Sequence, residues 1–383
     1  MTKAVIVAAK RTPIGVYGGQ LQKWEPEHLL KPLFEHFEAT LSCSLNDLDD
    51  VILGNIVGKG GNIARKSLLE AGIDVSVPGL TVDRQCGSGL EAIHLASRLV
   101  ESGAGDFYIA GGVESTSRAP WKMEKPTSLY PTTPPTFYER APFAPVGQDP
   151  TMIEAADNVA KQYDVSREDQ DRFAVQSHHR ASKAIATGAM SAEILPLIVK
   201  GQQMIQDESV KPHLQYERIA RLKPLREGGT VTVGNCCLKH DGACLVVVMS
   251  EQKARELGMS EGLMFMDYAV EGVDPHVLGI GPVPAVQRIL ERQQRTINQI
   301  DVVELNEAFS AQVLASARAL NIQEAQLNRY GGAIAIGHPY SASGAILVTR
   351  LFYMKDAQST IATMGIGGGM GNAALFERWR PRS

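Results

Sequence analysis

The sequence contains little of what marks a disulfide-stabilised, zinc-binding or nucleic-acid-binding protein. Its five cysteines are odd in number and form no CxxC pair, which argues against a disulfide framework or a zinc site and favours a reducing cytosol. The net charge of −4 gives no basic footprint for nucleic acid or an anionic membrane. The apolar run at residues 1–10 is too short for a signal peptide or a membrane span. We therefore expect a cytoplasmic protein whose partners are neither nucleic acid nor a membrane.

Apolar runs alternate with amphipathic stretches along the 383 residues, and this alternation predicts an α/β fold. Residues 118–150 are rich in proline and aromatic residues and have no period, so we expect a long ordered loop there. A helix is expected at residues 91–103, where it ends at a glycine. Buried strands are expected at residues 4–9, 49–56, 106–112 and 244–250.

An internal repeat divides this pattern into two similar βα units. NDLDDVILGN at residues 46–55 resembles NQIDVVELNE at residues 298–307, and each is followed by a glycine, an amphipathic helix, a strand and a glycine cluster. Two such units predict two related halves packed about a pseudo-two-fold axis, with a site built from equivalent loops of both. The alternative is chance similarity between α/β units.

Cys86 lies between a predicted strand and a predicted helix, in the segment LTVDRQCGSGLEAI. Gly87 and Gly89 permit a tight turn that leads into the helix. The positive end of a helix dipole stabilises a thiolate, so we expect a lowered pKa for Cys86. The neighbouring glycines would also let backbone N–H groups approach an oxyanion. This context favours a nucleophilic cysteine over an inert core cysteine.

His338 and Asn306 are the other candidates for chemistry. His338 lies in the glycine-rich segment GGAIAIGHPYSASG and could activate Cys86 or steady a thioester oxygen; a solvated loop histidine is the alternative. In VELNEAF, Asn306 and Glu307 follow an apolar strand, and Asn306 could fix a water or an oxyanion. GIGGGMG at residues 365–371 lacks the GxGxxG spacing, so close backbone approach explains it better than a nucleotide loop.

These segments resemble the thiolase family over nearly the whole chain. The shared motifs, in order, are RTPIG at 11–15, VILGN at 51–55, CGSGLEAI at 86–93, AGGVESTSRAP at 110–120, GTVTVGN at 229–235, GVDP at 272–275, GIGPVPA at 279–285, NEAF at 306–309, GGAIAIGHP at 331–339 and GIGGGMG at 365–371. The resemblance implies an α/β fold of five layers, αβαβα, with a duplicated core. It divides the chain into an N-terminal half (1–117 and 231–261), an inserted loop domain (118–230) and a C-terminal half (262–383).

The resemblance also implies an enzyme that moves acyl groups between coenzyme A thioesters, with no metal and no redox cofactor, as a homodimer or homotetramer. Cys86 would be the acylated nucleophile, His338 its activator, and Asn306 the residue that positions an oxyanion-site water. Gly365, Gly367 and Gly368 would form the oxyanion and substrate loop. The CoA contacts would be Lys211, Arg218 and Cys237. The acyl pocket would be lined by Met152, Leu278 and Tyr340.

Three positions depart from the family pattern. The C-terminal loop usually begins with a second cysteine that moves the proton at the α-carbon, and here that residue is Gly365. Cys237 replaces a serine near the pantetheine, and Tyr340 with Ser341 replaces a small aliphatic residue and a glycine. We expect Tyr340 to narrow the acyl pocket or to offer a hydroxyl. Acylation of Cys86 needs no second thiol, whereas carbon–carbon bond chemistry needs a base for the α-proton.

The resemblance leaves several functions open. Carbon–carbon chemistry could persist with a substitute base, or the enzyme could have shifted to acyl transfer or thioester hydrolysis. A non-catalytic CoA-binding or scaffold subunit is the alternative from another class. A ketoacyl-synthase relative would share the duplicated fold, but the NEAF motif argues against it.

Overall fold

A computed structural model describes residues 2–130, 132–138 and 140–381; the ends of the predicted halves at residues 1 and 383 lie outside this part. The strands are β1 (Ala4–Arg11), β2 (Gly15–Val16), β3 (Asp50–Gly54), β4 (Gly79–Val82), β5 (Phe107–Ser115), β6 (Lys122–Met123), β7 (Phe137–Tyr138), β8 (Leu197–Val199), β9 (Gln202–Met204), β10 (His240–Ser250), β11 (Gly262–Gly272), β12 (Val302–Leu305), β13 (Ser359–Ile366) and β14 (Met370–Trp379). The α-helices are α1 (Pro26–Thr40), α2 (Ile63–Glu70), α3 (Ser88–Ser102), α4 (Met152–Gln162), α5 (Arg167–Ala186), α6 (Tyr216–Ala220), α7 (Glu251–Glu256), α8 (Pro282–Arg292), α9 (Ser310–Leu320), α10 (Ala333–Ile336) and α11 (Ser343–Tyr353). Short 3₁₀ turns span Leu45–Asp47, Thr116–Arg118, Pro275–Ile280, Ile297–Gln299 and Tyr340–Ala342.

In the described residues, one mixed sheet of ten strands carries the core, in the order β12-β13-β14-β11-β1-β10-β5-β3-β4 with β2 added to β10. β3 runs parallel to β5, which is followed by antiparallel β10 and β1. In the same way, β12 runs parallel to β13, which is followed by antiparallel β14 and β11. The two sets meet where Ile6 of β1 pairs with Leu263 of β11. One topology is therefore repeated, and the predicted duplication of the core is confirmed.

Helices cover both faces of each strand set, because successive side chains of a strand point to opposite faces. On β10, Val246 faces the cluster that contains α3 and α11, whereas Val247 faces α1 and α2. On β12, Leu305 faces α8 and α9. The layers thus follow the predicted order αβαβα, with α3 and α11 in the middle. Each fully buried aliphatic side chain contributes about 1.5–3 kcal/mol, so this shared middle layer holds the two halves together.

The chain between β5 and β10 contributes α4, α5, α6 and the two-stranded hairpins β6–β7 and β8–β9. Ser166 is the N-cap of α5, and its hydroxyl accepts a hydrogen bond from the backbone N–H of Asp169 at 3.0 Å. Phe173 of α5 and Ile219 of α6 join the apolar cluster of α8 and α9. Helices α5 and α6 therefore pack on the second half, whereas Leu197 and Met204 of the β8–β9 hairpin join the apolar cluster of α1 and α2 in the first half. The division of the chain at residues 118, 231 and 262 stays a prediction.

None of the helices in the described ranges combines the length and the apolar character that a bilayer crossing requires.

Candidate active site

Cys86 lies in a tight turn between β4 and α3. Gln85, just before it, has a φ of 47°, a left-handed conformation that is costly for a residue with a side chain and that clusters at functional sites. Ser88 holds the turn, because its hydroxyl donates to the Gln85 carbonyl at 2.6 Å and accepts from the backbone N–H of Arg84 at 2.8 Å. Gly87 is the N-cap of α3. Cys86 therefore stands directly before the N-cap of this helix.

The pKa of Cys86 is shifted in the direction opposite to the one predicted. Burial of the thiol raises its pKa to about 12, and the carboxylates of Glu114 and Asp83 act in the same direction, although the backbone N–H of Cys86 opposes them. The prediction of a lowered pKa is wrong because desolvation and a buried neighbouring acid outweigh the helix terminus. At neutral pH the thiol is protonated, so it needs a base to become a nucleophile.

Glu114 is a buried carboxyl close to this turn that the sequence reasoning missed. Its side chain accepts hydrogen bonds from Nδ2 of Asn55 at 3.0 Å, the backbone N–H of Val57 at 3.0 Å and the hydroxyl of Ser341 at 2.7 Å. Burial raises its pKa to about 7 despite these donors. A carboxylate at the end of the apolar run FYIAGGVES was the available signal. Glu114 ties the loop before α11 to β5.

His338 is a buried, neutral imidazole in the loop that leads to α11. Its Nδ1 lies 2.6 Å from the hydroxyl of Ser343, and its backbone N–H donates to Nδ1 of His240 at 3.1 Å. Burial, with a smaller contribution from His240, lowers the pKa of His338 to about 3. The ring is therefore uncharged near neutral pH and has a nitrogen able to accept a proton.

The loops that carry Cys86 and His338 are brought together where α3 and α11 begin. A Cβ atom at Gly89 would collide with the carbonyl oxygen of Ser341, and a Cβ atom at Gly344 would lie 2.6 Å from the backbone nitrogen of Leu90. Only glycine permits backbones to approach this closely. The equivalent ends of the two middle helices therefore touch, as a site shared by both halves requires.

Asn306 and Glu307 follow β12 but have different surroundings. The backbone N–H of Asn306 donates to the carbonyl of Thr363 at 3.0 Å, while its side-chain Nδ2 is buried and has no hydrogen-bond partner among the described residues. Glu307 accepts from Ser177 at 2.6 Å and from Asn328 at 2.9 Å. Asn306 thus retains a free donor, whereas Glu307 ties helices together.

Gly365 is the last residue but one of β13 and lies in an environment that does not require glycine. A Cβ atom there would lie 3.4 Å from the carbonyl oxygen of Leu278 and 3.6 Å from Gly279, which are ordinary contact distances. Gly367 differs, because a Cβ atom there would lie 2.8 Å from the ring of Phe143. Gly368 has a φ of 89°, a conformation that favours glycine. Phe143, from the proline-rich segment, therefore covers the glycine-rich loop.

Cys237 lies beside the NEAF segment, since its backbone N–H donates to the carbonyl of Ala308 at 2.9 Å. Burial raises the pKa of the Cys237 thiol well above its usual value, and charge on Cys236 or Cys86 would raise it further. A negative charge on Cys86 would therefore act on the Cys237 thiol.

The residues predicted to contact CoA and one residue predicted to line the acyl pocket lie in the segment between β5 and β10. Lys211 is exposed, with its backbone N–H donating to His178 at 3.2 Å, and Arg218 is exposed on α6. No hydrogen bond or ion pair between the described residues joins either of them to Cys86. Met152 is half-buried at the start of α4.

Tyr340 and Leu278, the other two predicted acyl-pocket residues, lie beside His338 and Gly365 respectively. The Tyr340 ring stands edge-on to the His338 ring, with centroids 5.4 Å apart, and its φ of 30° is strained for tyrosine. Leu278 is buried beside Gly365. In the described part of the chain, no three His, Cys, Asp or Glu side chains are grouped as a metal ion would need.

Comparison with known families gives matches over almost the whole chain. The model of the thiolase N-terminal domain matches residues 4–252, and that of the thiolase C-terminal domain matches residues 262–378. A Staphylococcus epidermidis protein named "Putative acetyl-CoA C-acetyltransferase VraB" is 62% identical over 379 residues, which is 99% of each chain. The Staphylococcus aureus protein of the same name is 58% identical over 99% of this chain and all of its own.

Two solved structures share the fold at 31–34% identity. The acetyl-CoA acetyltransferase of Bacillus anthracis superposes with a TM-score of 0.94 at 34% identity, over 99% of each chain. The human mitochondrial 3-ketoacyl-CoA thiolase in complex with CoA superposes with a TM-score of 0.92 at 31% identity, over 98% of each chain.

Proposed function

The chain belongs to the thiolase family of acyltransferases, and we propose that it transfers acyl groups between coenzyme A thioesters through an acyl group carried on Cys86. The observation that carries the proposal is the neutral, buried imidazole of His338, in a loop that contacts the start of the Cys86 helix. The relatives named as acetyl-CoA acetyltransferases and the CoA-bound human thiolase support acetyl-CoA as a substrate.

Acylation needs a proton to leave Cys86, because burial keeps its thiol protonated at neutral pH. His338 would take this proton on Nε2 as the sulfur attacks the thioester carbonyl. When the tetrahedral intermediate collapses, the bond to the CoA sulfur breaks, and the imidazolium returns the proton to the leaving thiolate. The products are acyl-Cys86, free CoA and a neutral His338.

Two groups of donors would stabilise the negative charge that develops on the thioester oxygen. The buried Nδ2 of Asn306 is free to hold a water toward one such oxygen. Backbone N–H groups of Cys86 and of the loop with Gly367 and Gly368 would serve the other. Donors of this kind act strongly because they are already oriented before the charge forms.

The carbon–carbon step is the less complete half of the proposed reaction. It needs a group that moves the proton at the α-carbon, and Gly365 stands where the family's second cysteine would supply it. Removing a general acid–base group costs about 10²–10⁴ in rate. We therefore propose efficient acylation and a slow Claisen or thiolysis step, with acyl transfer or hydrolysis as the alternative outcome for the acyl-enzyme.

Cys237 is the thiol that could carry this proton in place of a residue at 365. It follows the NEAF-contacting residue Cys236, and its ionisation is coupled to that of Cys86. A neutral thiol could donate to the carbanion of the departing thioester during thiolysis and recover its proton from the incoming CoA thiol. This role would replace the CoA contact proposed for Cys237 above.

Other features of the proposal rest on the family alone. Lys211 and Arg218 are proposed as CoA contacts, and Met152, Leu278 and Tyr340 as the lining of the acyl pocket. We also propose a cytoplasmic homodimer or homotetramer and the division into two halves and a loop domain at residues 118 and 231. Size-exclusion chromatography coupled to light scattering tests the oligomeric state.

Mass spectrometry of the intact protein after incubation with acetyl-CoA tests the central step. A mass increase of one acetyl group that maps to Cys86 and is lost in Cys86→Ser is expected. Cys43, which is remote in sequence and half-buried, should remain unmodified and serves as the internal control. A CoA-binding scaffold would bind acetyl-CoA without gaining the mass of an acetyl group on Cys86. That result would contradict the proposal.

A further inference from the structure

Glu304 is a buried acid that the proposed acyl transfer does not use. It lies in β12, is completely buried, and neither of its carboxyl oxygens has a hydrogen-bond partner among the described residues. Burial raises its pKa to about 8, although the charge of Arg350 opposes this shift. Leaving a buried polar group unsatisfied costs about 1–3 kcal/mol. A polar partner for Glu304 is therefore expected within its own cavity.

The charged groups around Glu304 are already matched to each other. Arg350 bonds Glu193 at 3.1 Å, and Arg11 bonds both Glu193 and Asp207 at 2.7 Å. Arg350 is 4.0 Å from Glu304, beyond hydrogen-bond distance. The other charges that act on Glu304 are those of Glu307 and Arg180. Arg350 thus hydrogen-bonds Glu193 and is also the nearest opposite charge to Glu304, but no described side chain forms a hydrogen bond with Glu304.

A small, largely enclosed cavity connects Glu304 to Ser343, the hydrogen-bond partner of His338. Its lining includes Glu304, Asn306, Ser343 and Arg350, and it leaves about 10 Å³ for the centres of water molecules. One ordered water needs about that much space and about three hydrogen-bond partners. The cavity offers Nδ2 of Asn306, Nε of Arg350 and both oxygens of Glu304, all buried and all without partners among the described residues.

The direction of the hydrogen bond between His338 and Ser343 depends on which group accepts the hydroxyl hydrogen of Ser343. For Nε2 of His338 to accept the Cys86 proton, Nδ1 must carry a hydrogen and donate it to the Ser343 hydroxyl, 2.6 Å away. The Ser343 hydrogen then needs an acceptor of its own. The unpartnered acceptors in the shared cavity are the carboxyl oxygens of Glu304.

We propose that Glu304 is a positioning residue for His338: through one ordered water it accepts the hydroxyl hydrogen of Ser343 and so keeps Nε2 of His338 free for the proton of Cys86. The inference rests on one part of the proposed function, namely that His338 takes the proton of Cys86. In this chain His338 donates to Ser343, Ser343 to the water, and the water to Glu304. When His338 takes the Cys86 proton it keeps both ring hydrogens, and an ionised Glu304 at the end of the chain stabilises the imidazolium.

Alkylation of Cys86 by iodoacetamide at pH 9, above the pKa of about 8 for Glu304, followed by peptide mass spectrometry, tests the chain of contacts without any CoA chemistry. Glu304→Leu and Ser343→Ala should each slow Cys86 alkylation about 10- to 100-fold, the range found for partners that orient functional histidines in metal sites. The double variant should lose no more than either single one, because both interrupt one chain. Cys43 should react at its wild-type rate throughout.

Additive losses in the double variant, or a folded Glu304→Leu protein with wild-type reactivity at Cys86, would overturn the proposal. Where Glu304→Leu does not fold, Glu304→Met, which also lacks a carboxyl oxygen, takes its place in the same cycle with the same criteria. A wild-type protein that accepts no acetyl group would refute the proposed function, yet its alkylation data would still decide the role of Glu304.

The pH profile of alkylation separates this role from a structural one. Wild-type Cys86 should show a step in reactivity near pH 8 as Glu304 ionises, and Glu304→Gln should lack that step. Glu307→Gln is the matched control. It neutralises another buried acid, two residues after the end of β12, whose hydrogen-bond partners are Ser177 and Asn328. It should keep the step. A step that survives in Glu304→Gln contradicts the proposal.

Discussion

Gly365 is the residue on which the proposed slow step beyond the acyl-enzyme depends. Its backbone is free of left-handed strain and its surroundings would accept a side chain at 3.4 Å or more. Position 365 therefore has room for a side chain such as that of cysteine.

Gly365→Cys is expected to accelerate thiolysis of acetoacetyl-CoA by about 10²–10⁴, the usual contribution of a general acid–base group. Gly365→Ser is the matched control, since it has a similar size without an acidic thiol, and it should give no such gain. Steady-state rates with both variants check this expectation. Equal rates for wild type and Gly365→Cys would mean that the missing thiol does not limit the reaction.

Cys237→Ser is expected to remove most of the remaining thiolysis while leaving acylation of Cys86 within about threefold, because a serine hydroxyl cannot replace a thiol as a proton carrier. The two rates are measured separately, as steady-state thiolysis and as the rate of acetyl incorporation on Cys86. Loss of both rates together would instead assign Cys237 to CoA binding, and loss of neither would place the proton carrier elsewhere.

Single residues show where sequence reasoning succeeds and where it fails. The position of Cys86 before a helix could be predicted, because a strand, a cysteine and two glycines follow one another in the chain. The direction of its pKa shift could not, because it depends first on burial of the thiol and then on Glu114, which is 28 positions away in sequence and approaches only in the fold. Glu304 was visible as an acid within an apolar strand, but its cavity depends on α11.

At the scale of elements, the site depends on how closely α3 and α11 approach each other. The helix predicted at residues 91–103 is α3, which begins three residues earlier at Ser88. Sequence periodicity identifies the apolar faces of such helices. It cannot show that their N-terminal ends touch, because that contact joins residues about 250 positions apart, at Gly89 and Ser341.

Gly89→Ala is expected to push these two helix ends apart, because its methyl group would overlap the backbone oxygen of Ser341. Overpacking of this kind costs about 1–3 kcal/mol, and the shift of Cys86 relative to His338 should slow acylation as well. Thermal unfolding and acetyl incorporation measure the two effects. Gly365→Ala, whose methyl group has room, should leave the melting temperature unchanged; equal melting temperatures for both variants would contradict the predicted contact.

At the scale of the whole molecule, each half supplies part of the site, and the long segment between β5 and β10 covers it. The family resemblance implied five layers, and the duplicated topology of the sheet agrees with them. The packing of α5 and α6 on the second half could not be predicted from their connection to the first. Phe143, from the same inserted segment, lies against the glycine-rich loop at Gly367.

Buried acids and histidines also give the whole molecule a predictable pH dependence of stability. Burial raises the pKa of Glu304 from 4.5 to about 8 and that of Glu114 to about 7. The stability they contribute is present below about pH 4.5 and is lost as the pH rises through these values. Burial lowers the pKa of His338 from 6.5 to about 3 and that of His178 to about 4. Their contribution is present above about pH 6.5 and is lost on acidification.

These opposing shifts place the stability maximum between about pH 5 and 6.5, because above pH 6.5 only the buried acids still change protonation on unfolding. Between pH 6.5 and 8 the wild type should lose about 2 kcal/mol more stability than Glu304→Gln, since each proton contributes about 1.4 kcal/mol per pH unit. Melting temperatures measured at one scan rate across this range check the difference, with Glu291→Gln on the exposed face of α8 as the control that should follow the wild type. If Glu304→Gln loses stability as steeply as the wild type, Glu304 is already ionised at neutral pH in the folded protein.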